Sequence, residues 1–207
     1  MTHERYPVNG GLSQFVVNQF PDGYAGYGID VGASDGFSVN TTWVLEKHHR
    51  WTILSVEPNP EFHADLVRER AWVEKCACDY KAAEDRLFHV NLVNPEAYSA
   101  LRPSDPYQKH EDVKIRWATI RVKTRTIDQL LEKWQFPKLD LLCVDVEGNE
   151  LDVLKGCDLA KWRPEIIIVE SWDKGKNDEH MKPFGYKRVA RNVDNDIYMA
   201  GIPEEDK

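Results

Sequence analysis

The feature that most constrains this chain is an alternation. Short, almost wholly apolar runs at Tyr27–Ala33, Trp51–Val56, Trp72–Cys78, Leu139–Val146 and Glu165–Glu170 are separated by longer stretches with helical spacing. Strands that are apolar along their whole length need cover on both faces, whereas half-buried strands alternate. Ser38–His48 gathers Val39, Trp43, Val44 and Leu45 on one side, and Glu61–Arg70 does the same with Phe62, Leu66 and Val67. Ile127–Trp134 and Gly148–Gly156 also read as helices. Strand–helix alternation of this kind predicts a doubly wound α/β domain, with helices on both faces of a mostly parallel sheet.

Between Tyr80 and Thr126 the pattern changes. "RLFHVNLV" and "VKIRWATIRVKT" read as extra strands around a polar, Pro-containing stretch. Near the end, a helix around Asp178–Phe184 precedes Tyr186–Ala190 and Asp196–Ala200, which predict a closing antiparallel hairpin. A length of 207 residues suits one domain over 1–207, with 1–26 as a lead-in and 91–112 as an insertion shaping an acceptor pocket.

The net charge of −8 argues against charge-driven nucleic-acid binding, and no nucleic-acid partner is expected. No apolar run is long enough to span a membrane, and "MTHERYPVNGG" has no apolar signal core, so neither a membrane nor a secretory route is expected. Cys76 and Cys78 are two apart, but Cys143 and Cys157 do not form a matching second pair for a metal site. Free thiols in a reducing, cytoplasmic setting is the expectation.

The first strand runs into "IDVGASDGFSVN". Ligands of open α/β sheets bind beyond the carboxyl ends of the strands, where strand order reverses, so this turn is nominated by position. Its glycines, Gly32 and Gly36, are not spaced as in G-x-G-x-x-G, and no Gly-Lys-Ser/Thr follows. Glu57 ends the second strand, where an acid accepts ribose hydroxyls; Asp30 is placed to meet a cationic amino group. Ribose and positive charge without phosphates describe S-adenosylmethionine. A non-catalytic module that binds a nucleotide or S-adenosylmethionine is the alternative, and a nicotinamide-dependent oxidoreductase is disfavoured by the missing glycine fingerprint.

At these residues the chain resembles the FkbM-type methyltransferases, within the S-adenosylmethionine-dependent class with a Rossmann-like fold. "IDVGASDGFSVNTTWVLE" and "LSVEPNP" are similar to the family's first two motifs. "LLCVDVEGNELDVLKG" resembles its most specific segment, approached through "KTRTIDQLL", and "SQF" is similar to a lead-in of some members. The resemblance implies a class I methyltransferase fold, a mostly parallel seven-stranded sheet ending in an antiparallel hairpin. It implies that Gly32, Ala33, Ser34 and Gly36 line the methionine and ribose portion, that Glu57 and Pro58 hold the ribose side, that Cys78 and Asp79 flank adenine, and that Asn40 approaches the cofactor. Cys143 stands where many members carry Lys, which removes a charge near the substrate.

Methyl transfer to an alcohol needs alignment with the S–CH3 bond and removal of the hydroxyl proton, by a base or through a divalent metal. Asp145, Glu147 and Glu150 after the fourth strand, and Glu170 with Asp173 after the fifth, are the candidates. Asp145 and Glu170 end neighbouring strands, so they converge on one hydroxyl or one hard cation; metal involvement stays open at this point, and Glu147 and Glu150 also suit a helix N-terminus. His180 is a candidate base from a lid, and His48 and His49 read as ordinary helix-end residues. Arg121, Lys123 and Arg125 share one strand face, either to meet an anionic substrate or as a solvated edge that resists aggregation. Trp172 is the tryptophan expected near a sugar-like acceptor. The expected activity is O-methylation of a sugar, glycan or small natural product, with the acceptor as the partner.

Overall fold

In a computed structural model of the chain, residues 11–95, 99–102, 116–171 and 175–201 are described. The apolar runs form parallel strands: β1 Tyr27–Val31, β2 Thr52–Val56, β3 Trp72–Glu74, β7 Leu141–Val144 and β8 Ile166–Glu170. A short β4 (Ala77–Cys78) and the long β5 (Ala83–Asn91) and β6 (Trp117–Arg125) lie between them, and β9 (Tyr186–Asn192) and β10 (Asn195–Ala200) close the fold. The main sheet has seven strands in the order β3-β2-β1-β7-β8-β10-β9, and β10 is antiparallel to both its neighbours. The expected doubly wound architecture with its closing hairpin is therefore present.

Alternate residues of each central strand feed two separate cores, as the period-two geometry of a strand requires. Ile29, Val31, Leu54, Val56, Leu142, Val144, Ile167 and Val169 pack beneath α4 (Ile127–Lys133), α5 (Glu150–Lys155), α6 (Leu159–Trp162) and α7 (Lys176–Met181). Ile53, Leu141, Cys143, Ile166 and Ile168 face the other way, against α1 (Leu12–Val17) and α2 (Trp43–His49). Cys143 thus sits in an apolar layer, where burial raises its thiol well above the usual range.

Two elements differ from the sequence expectation. The run Trp72–Cys78 is not one strand. β3 pairs with β2, and the chain then leaves the sheet so that β4 pairs with β6 in a second sheet ordered β4-β6-β5. The helix expected from Ser38 begins only at Trp43, because the side chain of Asn40 accepts the amides of Thr42 and Trp43 and Asp35 accepts those of Phe37 and Ser38. Such side-chain acceptors offer the backbone an alternative to helix. By contrast α4 starts where expected, on a capping box between Thr126 and Gln129. The helix expected over Glu61–Arg70 is α3, His63–Glu69.

Candidate active site

Sheet register builds the site. Val31, Val56, Val144 and Val169 lie side by side in the pairing of β1, β2, β7 and β8. The residues at the carboxyl ends of these strands, Gly32, Glu57, Asp145 and Glu170, therefore come out at one end of the sheet, around the point where strand order reverses. A cavity of about 330 Å³ opens there. Its walls are the Gly32–Ser34 turn with Ser38, Val39 and Asn40, then Glu57 and Pro58, then Cys76–Cys78 with Phe88, and the Asp145–Glu147 turn with Asn149.

Gly32 has φ +90°, and a Cβ there would lie 1.7 Å from the carbonyl oxygen of Asp145, so no other residue lets the two strand ends approach. The turn is tied to β2 by the amides of Gly32 and Ala33, which donate to Val56 O at 2.9 and 3.1 Å. The carboxylate of Glu57 accepts the amides of Ser34 (3.0 Å) and Asn59 (2.7 Å), one on each oxygen. Burial pushes its pKa up to about 7, against the pull of those two amides and with the help of nearby Asp30. The hydroxyl of Ser34 lies buried without a hydrogen-bond partner.

Asp145, Glu147 and Glu170 place a carboxylate oxygen each within 4.8 Å of one another. Glu147 reaches this arrangement with φ +60°, an uncommon backbone for a non-glycine residue. The Asp145 side chain is open to the cavity, yet protein crowds it from behind. Burial first, then the charges of Glu147 and Glu150, push its carboxyl up to about 7, while a hydrogen bond with Glu170 opposes the shift. Glu150 does not join the cluster. It is buried and accepts the amides of Gly148 (2.7 Å) and Val146 (3.4 Å), which shapes the turn carrying Asp145.

Other expected residues stand back from the cavity wall. Asp30 is buried and spends its carboxylate on Asn40 (2.9 Å), Thr42 (2.7 Å) and Arg70 (3.8 Å), so it is not presented to a cationic ligand. Gly36 is excluded from substitution by packing, since a Cβ would meet Arg70 Cγ at 2.7 Å and Leu66 at 2.8 Å. Asp79 is fully buried and takes Arg102 at 3.0 Å and Arg86 at 3.5 Å. Cys78 does line the cavity, as a thiol whose burial keeps it protonated.

His180 lies in α7 beside Phe184, with burial lowering its pKa, and is not among the cavity residues. Arg121 pairs with Asp85, while Lys123 (3.3 Å) and Arg125 (2.6 Å) both pair with Glu84, so this basic face is answered by its own sheet neighbour rather than presented to a ligand. Trp172 and Asp173 lie outside the described residues, as do parts of the 91–112 insertion.

Several contributors gave no signal in the sequence. Arg70, at the end of α3, is fully buried and binds Glu46, Gly36 O, Asn40 and Thr42 at 2.6–3.2 Å, knitting the β1–α2 connection to α3. Arg102 bridges Asp79 and Asp152, directly after Leu101 of the cavity wall. An arginine in "RER" or "ALRPS" reads as surface. The one usable hint was the alternation of Phe88 and Val90 in β5, whose buried side chains close the adjoining core.

Residues 30–186, well over half of the chain, match the Methyltransferase FkbM domain. Among curated proteins, methyltransferase sdnD of Sordaria araneosa is 27% identical over 173 residues, covering 70% of this chain and 66% of its own length. Methyltransferase 1 of Beauveria bassiana is 28% identical, covering 76% of this chain and 68% of itself. The hexuronic acid methyltransferase AglP of Haloferax volcanii is 42% identical over 52 residues, 25% of this chain and 22% of that protein. The chain thus spans about two thirds or less of these relatives. The crystal structure of methyltransferase FkbM from Methylobacillus flagellatus superposes with a TM-score of 0.56 at 14% identity, over 94% of this chain and 48% of that one, a likeness of fold. With the family's domain matched from Asp30 in β1 to Tyr186 at the start of β9, this chain belongs to the FkbM methyltransferases.

Proposed function

We propose that the chain is an S-adenosylmethionine-dependent O-methyltransferase acting on a sugar, glycan or small natural product. One observation carries the reading: a single cavity joins Glu57 to Asp145 across the Gly32–Ser34 turn. Each Glu57 oxygen already accepts one amide and keeps a lone pair for a ribose hydroxyl. Ser34 offers a buried hydroxyl that lacks a partner, and the walls at Pro58, Cys78 and Phe88 are apolar enough for a purine. These residues fit the cofactor. When bound, S-adenosylmethionine supplies a methyl group on a sulfonium, a good leaving group.

Asp145 is the base. With a pKa near 7 it is poised to take a hydroxyl proton close to neutral pH, the range in which general bases are most effective. Burial and the charges of Glu147 and Glu150 keep its proton affinity high, while Glu170 orients it through a hydrogen bond. Asn94, Pro95, Ser99 and Leu101 line the same cavity, which supports the reading that the insertion shapes the acceptor side within a single domain. The partial match to a hexuronic acid methyltransferase favours a sugar acceptor.

The test is calorimetric titration with S-adenosylhomocysteine, with NAD and ATP as controls. Micromolar binding that Glu57→Ala abolishes supports the reading, and absence of binding by the native chain removes it. With an acceptor in hand, Asp145→Asn lowers kcat by about 10²–10⁴ while S-adenosylhomocysteine affinity stays within about threefold. The native rate then rises with pH to a plateau above about 7, because the base works only when deprotonated. Three clustered carboxylates are also the oxygen donors a hard cation takes. Activity lost to EDTA and restored by Mg²⁺ reassigns the cluster to a metal. Binding without turnover on a broad acceptor panel favours the non-catalytic module.

A further inference from the structure

Val39 is an anomaly of backbone and of surface at once. It has φ +47°, a conformation that is a genuine outlier for a β-branched side chain. The residue is 73% exposed, yet it forms part of the cavity wall. Nothing buried repays the strain. The segment is instead forced from both sides. Asp35 binds the amides of Phe37 and Ser38 and the Ser38 hydroxyl, and Asn40 is clamped between Asp30, Arg70 and the amides that start α2. Strain that persists because its surroundings over-determine it collects at ligand clamps.

The structure holds a comparison within itself. Val193 also has positive φ (+53°) and is 78% exposed. It sits in the tight turn between β9 and β10, where strand twist favours left-handed residues, and it lines no part of the cavity. Val193 is therefore set by a hairpin away from the cavity, whereas the turn at Ser38–Val39 is held by the Asp35 and Asn40 clamps and places Val39 in the cavity wall.

We propose that Val39 is a preformed apolar lip that lies over the S-adenosyl ligand, burying its isopropyl group against the ligand and excluding water from that end of the cavity. This rests on the reading of the cavity as an S-adenosylmethionine site. The lip is a positioning residue, and its backbone is strained in advance so that ligand contact requires no rearrangement.

The test separates stability from affinity. Val39→Asn places a residue that tolerates φ > 0 at this position but removes the apolar contact. Its apo Tm is expected to hold or rise, while the Kd for S-adenosylhomocysteine weakens about tenfold, the factor carried by about 1.4 kcal/mol. Val193→Asn changes Tm in the same direction and leaves the Kd unchanged. A second measurement uses the fact that all four native cysteines are buried. The thiol introduced by Val39→Cys reacts with a maleimide in the apo protein and is expected to be protected several-fold by S-adenosylhomocysteine. Native-like Kd in Val39→Asn, or labelling that the ligand leaves unchanged, overturns the lip while the cofactor reading stands. No S-adenosylhomocysteine binding by the native chain overturns both.

Discussion

Removing the Arg70 guanidinium should unfasten the cavity from the inside. Its side chain is completely buried, 2.7 Å from Glu46 and 3.8 Å from Asp30, and it also donates to Gly36 O (3.2 Å), Asn40 (3.0 Å) and Thr42 (2.6 Å). Arg70→Ala leaves Asp30, 9% exposed, without its cation and Glu46, 8% exposed, with only Lys47 at 3.4 Å. Breaking a buried pair in this way costs about 3–5 kcal/mol, a large part of the roughly 5–15 kcal/mol that holds a domain folded. At about 2–4 °C per kcal/mol for a chain of this size, Tm should fall by roughly 6–20 °C. Arg70→Lys keeps the charge but loses the planar fork, so it should fall in between. Urea unfolding of the three proteins, followed by tryptophan fluorescence, measures the difference directly. A loss below about 1 kcal/mol for Arg70→Ala would refute the argument, because it would mean that the network holds nothing its neighbours do not hold without it.

Glu57 ties stability to pH. The unfolded carboxyl loses its proton near 4.5, whereas the native one keeps it to about 7, so the stabilising contribution is complete below pH 4.5 and is lost as pH rises through 7. The loss is about 3 kcal/mol at 1.36 kcal/mol per pKa unit. Asp145 adds a change of the same sign, so the comparison of native protein with Glu57→Gln between pH 5 and 8 isolates Glu57, and equal slopes would contradict the assignment. Arg102→Ala leaves the buried Asp79 with Arg86 alone and cuts the tie between Asp79 and Asp152 beside the Leu101 side of the cavity. It is expected to cost about 1–3 kcal/mol in urea unfolding and to speed S-adenosylhomocysteine release in stopped flow, and unchanged release would show that Arg102 supports only the fold.

Periodicity made the central sheet readable, because Leu141–Val144 and Ile166–Val169 are apolar on both faces and only one layered arrangement buries them. It could not show that the chain after Glu74 changes sheets, since "VEKCACDY" keeps its apolar spacing through the break. The same limit applied to Ser38–His48, where apolar residues at helical intervals outweighed the turn-forming side chains of Asp35 and Asn40. In the site, Glu57, Asp145 and Glu170 were legible as strand-end acids, and register then brought Asp145 and Glu170 together. Asp30 and Asp79 were legible as acids, but the partners that turn them inward, Arg70 and Arg102, come from distant stretches with no local pattern. Buried ion networks join residues far apart in sequence, and neither periodicity nor spacing records them.

The position of β10 has a consequence for synthesis. It lies between β8 and β9, so the strand made later separates two that were made before it. Until Asn195–Ala200 leave the ribosome, Ile166–Glu170 has no neighbour on that side, although all five of its residues are buried in the finished protein. At about 5–20 residues per second, that edge stays open for roughly 1–5 s. During this interval the nascent chain presents an apolar strand with unpaired amides, the arrangement most prone to pairing with another chain. Whatever shields Ile166–Glu170 in that window determines the yield of folded protein, and slowing translation after Glu170 should increase aggregation more than slowing it anywhere before β8.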